Sequence, residues 1–289
     1  MGLALLSALF VFIWATGFVV AGIVAPRADP LTFLVVRYVF SIAVFGGLAF
    51  ATKGRWPRDG ATWRNALVAG MLLHGVYLGG VFWAVNHHLP PGITALVTGL
   101  HPLFTALLAA PLLHERLGAR QWAGIAIGIV GVAMIVSPKL GGPEGVPLVA
   151  LGAALVATLA FTLGTIWQKR AHPALDLRVN ATIQFMGALA LTLPVMWLTE
   201  SHHFDNSLAL WGALAWAVLG LSIGGISILL LLLRKLPASK VAPLLYFSPG
   251  VAALMALVLF GEKLTLLQLA GMALAVVGAF WARSAGSRA

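Results

Sequence analysis

The sequence predicts an all-α integral membrane protein, with ten transmembrane helices arranged as two inverted five-helix repeats. Three observations predict it. The 289-residue chain is 61% hydrophobic and 9% charged, against about 45–50% and about 25% in soluble domains. It divides into ten apolar segments of about the 20 residues that cross a bilayer. Shifted by 147 residues, the chain aligns with itself without a gap. A mean hydropathy of +0.99 cannot be wrapped in a water-facing surface, which excludes an ordinary soluble enzyme and a disordered chain. The absence of cysteine excludes disulfides, thiolate metal sites and thiol redox chemistry.

In chain order the segments are 2–24, 31–51, 63–84, 91–113, 119–137, 147–168, 178–198, 207–233, 238–260 and 264–282. The first lacks the charged leader of a signal peptide and falls inside the repeat, so it reads as a span. The second follows Pro30 and holds one charge, Arg37, roughly 10 Å deep at the helical rise. The third carries His74 and Tyr77 at its centre; the fourth carries Thr94, Thr98, His101 and Pro102. The fifth and tenth carry Gly124-x3-Gly128 and Gly271-x3-Ala275, small-residue faces for close helix approach. These faces suit a monomer or a weak homodimer. The sixth has Phe161 where the first has Trp14, and the seventh has Gln184 where the second has Arg37. The eighth is uncharged over 207–233. The ninth carries Tyr246, Ser248 and Pro249.

The connecting loops alternate in charge. Of the 18 Lys and Arg, 14 fall on one side: Lys53, Arg55, Arg58, Arg64, Arg116, Arg120, Lys169, Arg170, Arg178, Arg234, Lys235, Lys240, Arg283 and Arg288. Arg27, Lys139 and Lys263 fall on the other. The positive-inside rule puts both termini in the cytoplasm. The net charge of +10 is therefore a topology signal, not a nucleic-acid-binding face.

The repeat is specific. Over 89–131 against 236–278, 16 of 43 positions are identical, including Pro102 with Pro249, Glu115 with Glu262, Gln121 with Gln268 and Gly124 with Gly271. The boundaries fall at 1–142 and 143–289. Five spans per repeat is an odd number, so the second repeat enters the membrane upside down. Inverted repeats are a transporter architecture, with the substrate site near the midplane where they meet.

The midplane residues each have two readings. Arg37 attracts a substrate carboxylate, or it snorkels or bonds neighbouring carbonyls. His74, Tyr77 and His101 line a wet pathway, or they are hydrogen-bonded between helices. Trp14 and Phe161 stack on substrate, or pack in the core. Pro102 and Pro249 each deprive the carbonyl four residues back of its partner, which suits a hinge or gate as well as plain packing. Thr94, Thr98, Tyr246 and Ser248 add hydroxyls to this zone. No carboxylate is mid-span, so a carboxylate proton relay is not expected. The pairs His87–His88 and His202–His203 lack helical ligand spacing, so no metal or other cofactor is expected. No phosphate-binding loop or nucleophile elbow is present, which excludes hydrolysis-driven transport and argues against an enzyme.

The segments Leu117-Gly118-Ala119-Arg120-Gln121-Trp122-Ala123-Gly124 and Leu264-Thr265-Leu266-Leu267-Gln268-Leu269-Ala270-Gly271 each have Glu two residues before and Gly seven after. With Pro30, Arg37 and Tyr38 in the second span, they resemble the EamA repeat of the drug/metabolite transporter superfamily. Within it the chain resembles the YddG-type amino-acid exporters. The resemblance implies a secondary exporter of aromatic and other neutral amino acids and related metabolites, set in a bacterial-type inner membrane. It also implies a cavity lined by spans 1, 3, 4, 6, 8 and 9, and the lack of a mid-span carboxylate argues for uniport or exchange there. The alternative is a multidrug or other-metabolite transporter of the same fold, proton-coupled through histidine.

Overall fold

Apolar runs punctuated by Pro, Gly, Asp and Ser fold into helices joined by short turns. The structure is a computed structural model and describes residues 2–101, 103–105, 107–108, 118–137, 147–170, 175–236, 244, 247–262 and 265–284. The helices are α1 (Leu3–Val24), α2 (Pro30–Ala51), α3 (Gly60–Asn86), α4 (Pro91–Thr98) and α5 (Ala119–Val136), then α6 (Leu148–Arg170), α7 (Leu177–Thr199), α8 (208–235), α9 (Ser248–Phe260) and α10 (Leu266–Ser284). Six of them, α1, α2, α3, α6, α7 and α8, are long and apolar enough to cross a membrane; α5, α9 and α10 contain shorter apolar stretches. No strand occurs among the described residues. The parts of the expected fourth and ninth spans at 109–113, 238–243 and 245–246 lie outside those residues.

The helix starts show why these boundaries form. Asp59 accepts the Thr62 N–H at 2.7 Å and Asp176 the Arg178 N–H at 2.9 Å, ordinary N-cap bonds that satisfy an unpaired donor of the first turn. The repeat-related glutamines do the same from inside their helices. Gln121 Oε1 accepts from the Gly118 N–H at 2.8 Å, and Gln268 Oε1 from the Thr265 N–H at 2.9 Å. Two glutamates cap helices that are remote in sequence. Glu200, at the end of α7, accepts the Leu31 and Thr32 N–H groups at 2.8 Å each, at the start of α2. Glu262, after α9, accepts the Gly92 N–H of α4 at 3.0 Å. Both place a carboxylate where the helix dipole favours it.

Packing joins elements that the repeat relates. α2 lies along α7, α4 against α9, and α5 against α10. The α5–α10 contact uses the small-residue faces. A Cβ on Gly131 would stand 2.5 Å from the Gly271 carbonyl, and one on Gly278 would stand 2.5 Å from that of Gly124. Those faces are thus spent within the chain. In the other direction α6 packs on α3 while α1 packs on α8.

Irregular backbone also falls at repeat-related positions. α3 is π-helical over Met71–Val76 and α8 over Trp216–Gly225; shifting the first by 147 residues places it within the second. α4 ends at Thr98, turns at Gly99 and Leu100, and helix resumes at His101. The described part of α9 begins at Ser248, after a turn at Phe247. Pro249 therefore stands in the first helical turn, where its missing N–H leaves nothing unpaired. The sequence expectation of a mid-helix kink is revised accordingly, because the helix starts there.

Candidate substrate site

The irregular middles of α3 and α4 collect the polar and aromatic side chains. Tyr77 follows the π segment, and its ring lies 4.8 Å from that of Phe161 on α6. His101 meets the same Phe161 edge-on at 5.2 Å. The Tyr77 hydroxyl lies beside the Thr98 side chain, and the His101 ring beside the Thr98 backbone. The Thr98 carbonyl is the one Pro102 was expected to leave free, and the imidazole one turn on stands next to it. Thr162 on α6 donates to the His101 carbonyl at 3.3 Å. Tyr77, Thr98, His101 and Phe161 thus form one group, with Tyr77, His101 and Phe161 only partly buried.

A second group adjoins it through α3, three residues from Tyr77. His74 stacks on Phe185 of α7 at 4.7 Å and lies beside the Gln184 side chain. Tyr38 of α2 donates its hydroxyl to the His74 carbonyl at 2.7 Å. Arg37 is 6% exposed, its Nε is sealed without a hydrogen-bond partner, and the Oγ of Ser41 is likewise sealed and unpartnered. Arg37 neither reaches a helix end nor bonds a carbonyl among the described residues.

Other expected residues fall elsewhere. Trp14 packs with Phe10 at 5.6 Å, in a cluster that α1 shares with Leu232 of α8. It stands apart from its repeat mate Phe161. Thr94 is fully buried with its hydroxyl on the Pro90 carbonyl at 3.0 Å, so it is spent inside α4. Ser248 and Pro249 are buried at the start of α9, where Pro249 packs against Gly99. Tyr246 and Pro102 lie outside the described residues. Sequence reasoning did not single out Ser41 or Phe185, and it used Tyr38 only as part of the family motif. Ser41 is four residues from Arg37 on the same helix face, which is the signal that points to it.

The described carboxylates are occupied at helix ends and turns. Besides the caps above, Asp29 accepts from Ser201 Oγ at 2.8 Å and the His203 N–H at 2.9 Å, and Asp205 accepts the Ser207 N–H at 2.8 Å. Asp29 is partly desolvated, which favours its neutral form. The bonds from His203 and Ser201 outweigh this and hold its carboxyl below the usual value. An apolar groove of about 610 Å³ opens between α1, α8 and α9, bordered by Thr16, Trp216 and Phe260. It shares no residue with the two groups.

A sequence profile described as the EamA-like transporter family matches the chain twice, over residues 1–137 and 148–284. The chain belongs to the EamA-like transporter family. It is similar to a "Probable amino-acid metabolite efflux pump" of Salmonella typhimurium, 27% identical, with 95% of this chain and 92% of the relative aligned. It is also similar to the "Uncharacterized inner membrane transporter YedA" of Escherichia coli, 28% identical over 91% of this chain and 85% of that one. A solved crystal structure aligns over 99% of both chains with a TM-score of 0.65 at 20% identity, a likeness of fold. Membership of the EamA family makes the chain a membrane transporter, and its apolar helices and buried polar groups read as parts of a carrier.

Proposed function

We propose that the chain exports neutral amino acids, aromatic ones among them, and related metabolites across an inner membrane by alternating access. The observation that carries this reading is the group Tyr77, Thr98, His101 and Phe161: an aromatic, hydroxyl-bearing set without an acid, built on helices that are irregular at mid-length. Discontinuous helices near the midplane are where transporters bind substrate. The names of the similar efflux pump and inner-membrane transporter support it.

Two inverted repeats, 1–142 and 143–289, rock about the site, with both termini in the cytoplasm. The packing of α2 on α7, α4 on α9 and α5 on α10 supports a pseudo-two-fold relation, as do the two family matches. The breaks beside Gly99 and Phe247 are where the halves flex. With the described carboxylates tied to helix ends, transport is by uniport or exchange.

Counterflow in liposomes tests this. Vesicles holding the purified protein are preloaded with unlabelled phenylalanine, threonine or methionine, and the labelled form is added outside. Accumulation without a proton gradient is the expected result. Accumulation only with a gradient favours histidine-coupled transport instead, and no uptake of any amino acid by folded protein overturns the amino-acid reading.

A further inference from the structure

Building on the amino-acid reading, we propose that Arg37, Ser41 and Gln184 form the subsite for the substrate's carboxylate, so that the cargo must carry a free carboxylate. A guanidinium offers five N–H donors and no acceptor. Burying it without a counter-charge is strongly unfavourable. Arg37 is buried in this way: it is 6% exposed, its Nε has no partner, and the single ion pair among the described residues, Arg178 with Asp176, lies elsewhere.

The groups beside it are donors too. Ser41, fully buried one turn along α2, has a hydroxyl with no partner. Gln184 is also 6% exposed, comes from α7, and occupies the position in the second repeat that Arg37 occupies in the first. Its side chain lies beside the His74 ring. Its NH2 group adds two further donors.

An arginine Nε–H and a hydroxyl without a protein partner, with an amide beside them, match the two oxygens of a carboxylate. One cation suits a monoanion; a phosphate ester would call for more. The ligand then has a direction. Its carboxylate sits between α2 and α7, and its side chain points past His74 to Tyr77 and Phe161. The Tyr38–His74 bond holds α2 and α3 at the register this requires.

The test has two readouts. In phenylalanine counterflow, 3-phenylpropanoate, which keeps the carboxylate, competes, while phenylalaninamide, which lacks it, competes at least tenfold more weakly. Arg37→Met abolishes the distinction and lowers phenylalanine exchange more than tenfold. The ligand-free Arg37→Met protein melts higher than wild type, because an unpaired buried charge has gone; a structural arginine would give the reverse. Ser41→Ala, which removes no existing hydrogen bond, keeps the wild-type melting point and weakens phenylalanine several-fold. Equal competition by the amide overturns the proposal, as does an unchanged preference in both variants. If wild-type protein exchanges no amino acid, the amino-acid reading fails by itself. The subsite is then decided by thermal shift with 3-phenylpropanoate: stabilisation of wild type but not of Arg37→Met supports it, and equal or absent stabilisation overturns it.

Discussion

The Tyr38 hydroxyl donates to the backbone carbonyl of His74 at 2.7 Å. The carbonyl belongs to the π segment of α3, so a side chain of α2 is hydrogen-bonded to the widened backbone of its neighbour. Tyr38 itself is fully buried. Tyr38→Phe keeps the packing and removes this partner, at a cost of about 1–3 kcal/mol for an unsatisfied buried acceptor. The expected result is a lower melting temperature in detergent and faster amide exchange within 71–77 than elsewhere in α3.

The turn between α1 and α2 is zipped to the segment before α8. Ala28 pairs with Phe204 as an isolated bridge, and Asp29 bonds Ser201 and His203. A carboxyl held below 3.8 stabilises the zipped form fully above the unfolded value, and that contribution is lost as pH falls through the lower folded value. A fluorescent label at residue 202 should therefore report an ordered strap at pH 5 and a loosened one only below about pH 3.8. In Asp29→Asn the strap should be loose at every pH.

The α5–α10 contact sets a steric test. Gly131 faces the Gly271 carbonyl with no room for a Cβ, whereas nothing stands within 4 Å of a Cβ built on Gly152 of α6. Gly131→Leu should lower stability by about 1–3 kcal/mol or more through overpacking. Gly152→Leu should behave as wild type. Melting temperature and monodispersity on gel filtration measure both.

Phe161 touches both Tyr77 and His101. Under the proposed function, Phe161→Ala raises the half-saturating concentration of phenylalanine about tenfold, the order expected of one aromatic contact plus the area it buries. The value for threonine should move by less than about threefold, since the lost contact is aromatic. Concentration series of counterflow for the two substrates decide it; parallel losses would assign Phe161 to packing.

Much of the fold was legible because bilayer thickness fixes helix length: α1, α2, α3, α6, α7 and α8 lie within a few residues of the expected spans. The repeated Gln121 and Gln268 were legible as a pattern but not as a purpose; they cap helices, as Glu262 does, and take no part in the candidate site. The depth of Arg37 followed from counting residues. Its lack of partners did not, since that depends on what α7 brings beside it. Hydropathy registers composition and not helical register, so the π segments left no trace. The equivalence of Trp14 and Phe161 in the repeat says nothing about their neighbours, which differ because the α1–α8 cluster encloses one and the α3–α4 group the other.

The widened turns of α3 and α8 carry a record of ancestry. They occur at matching positions of an alignment that runs ungapped on both sides. Two independent insertions would have had to arise at one register in separate halves. An extra residue older than the sequence repeat accounts for both segments at once.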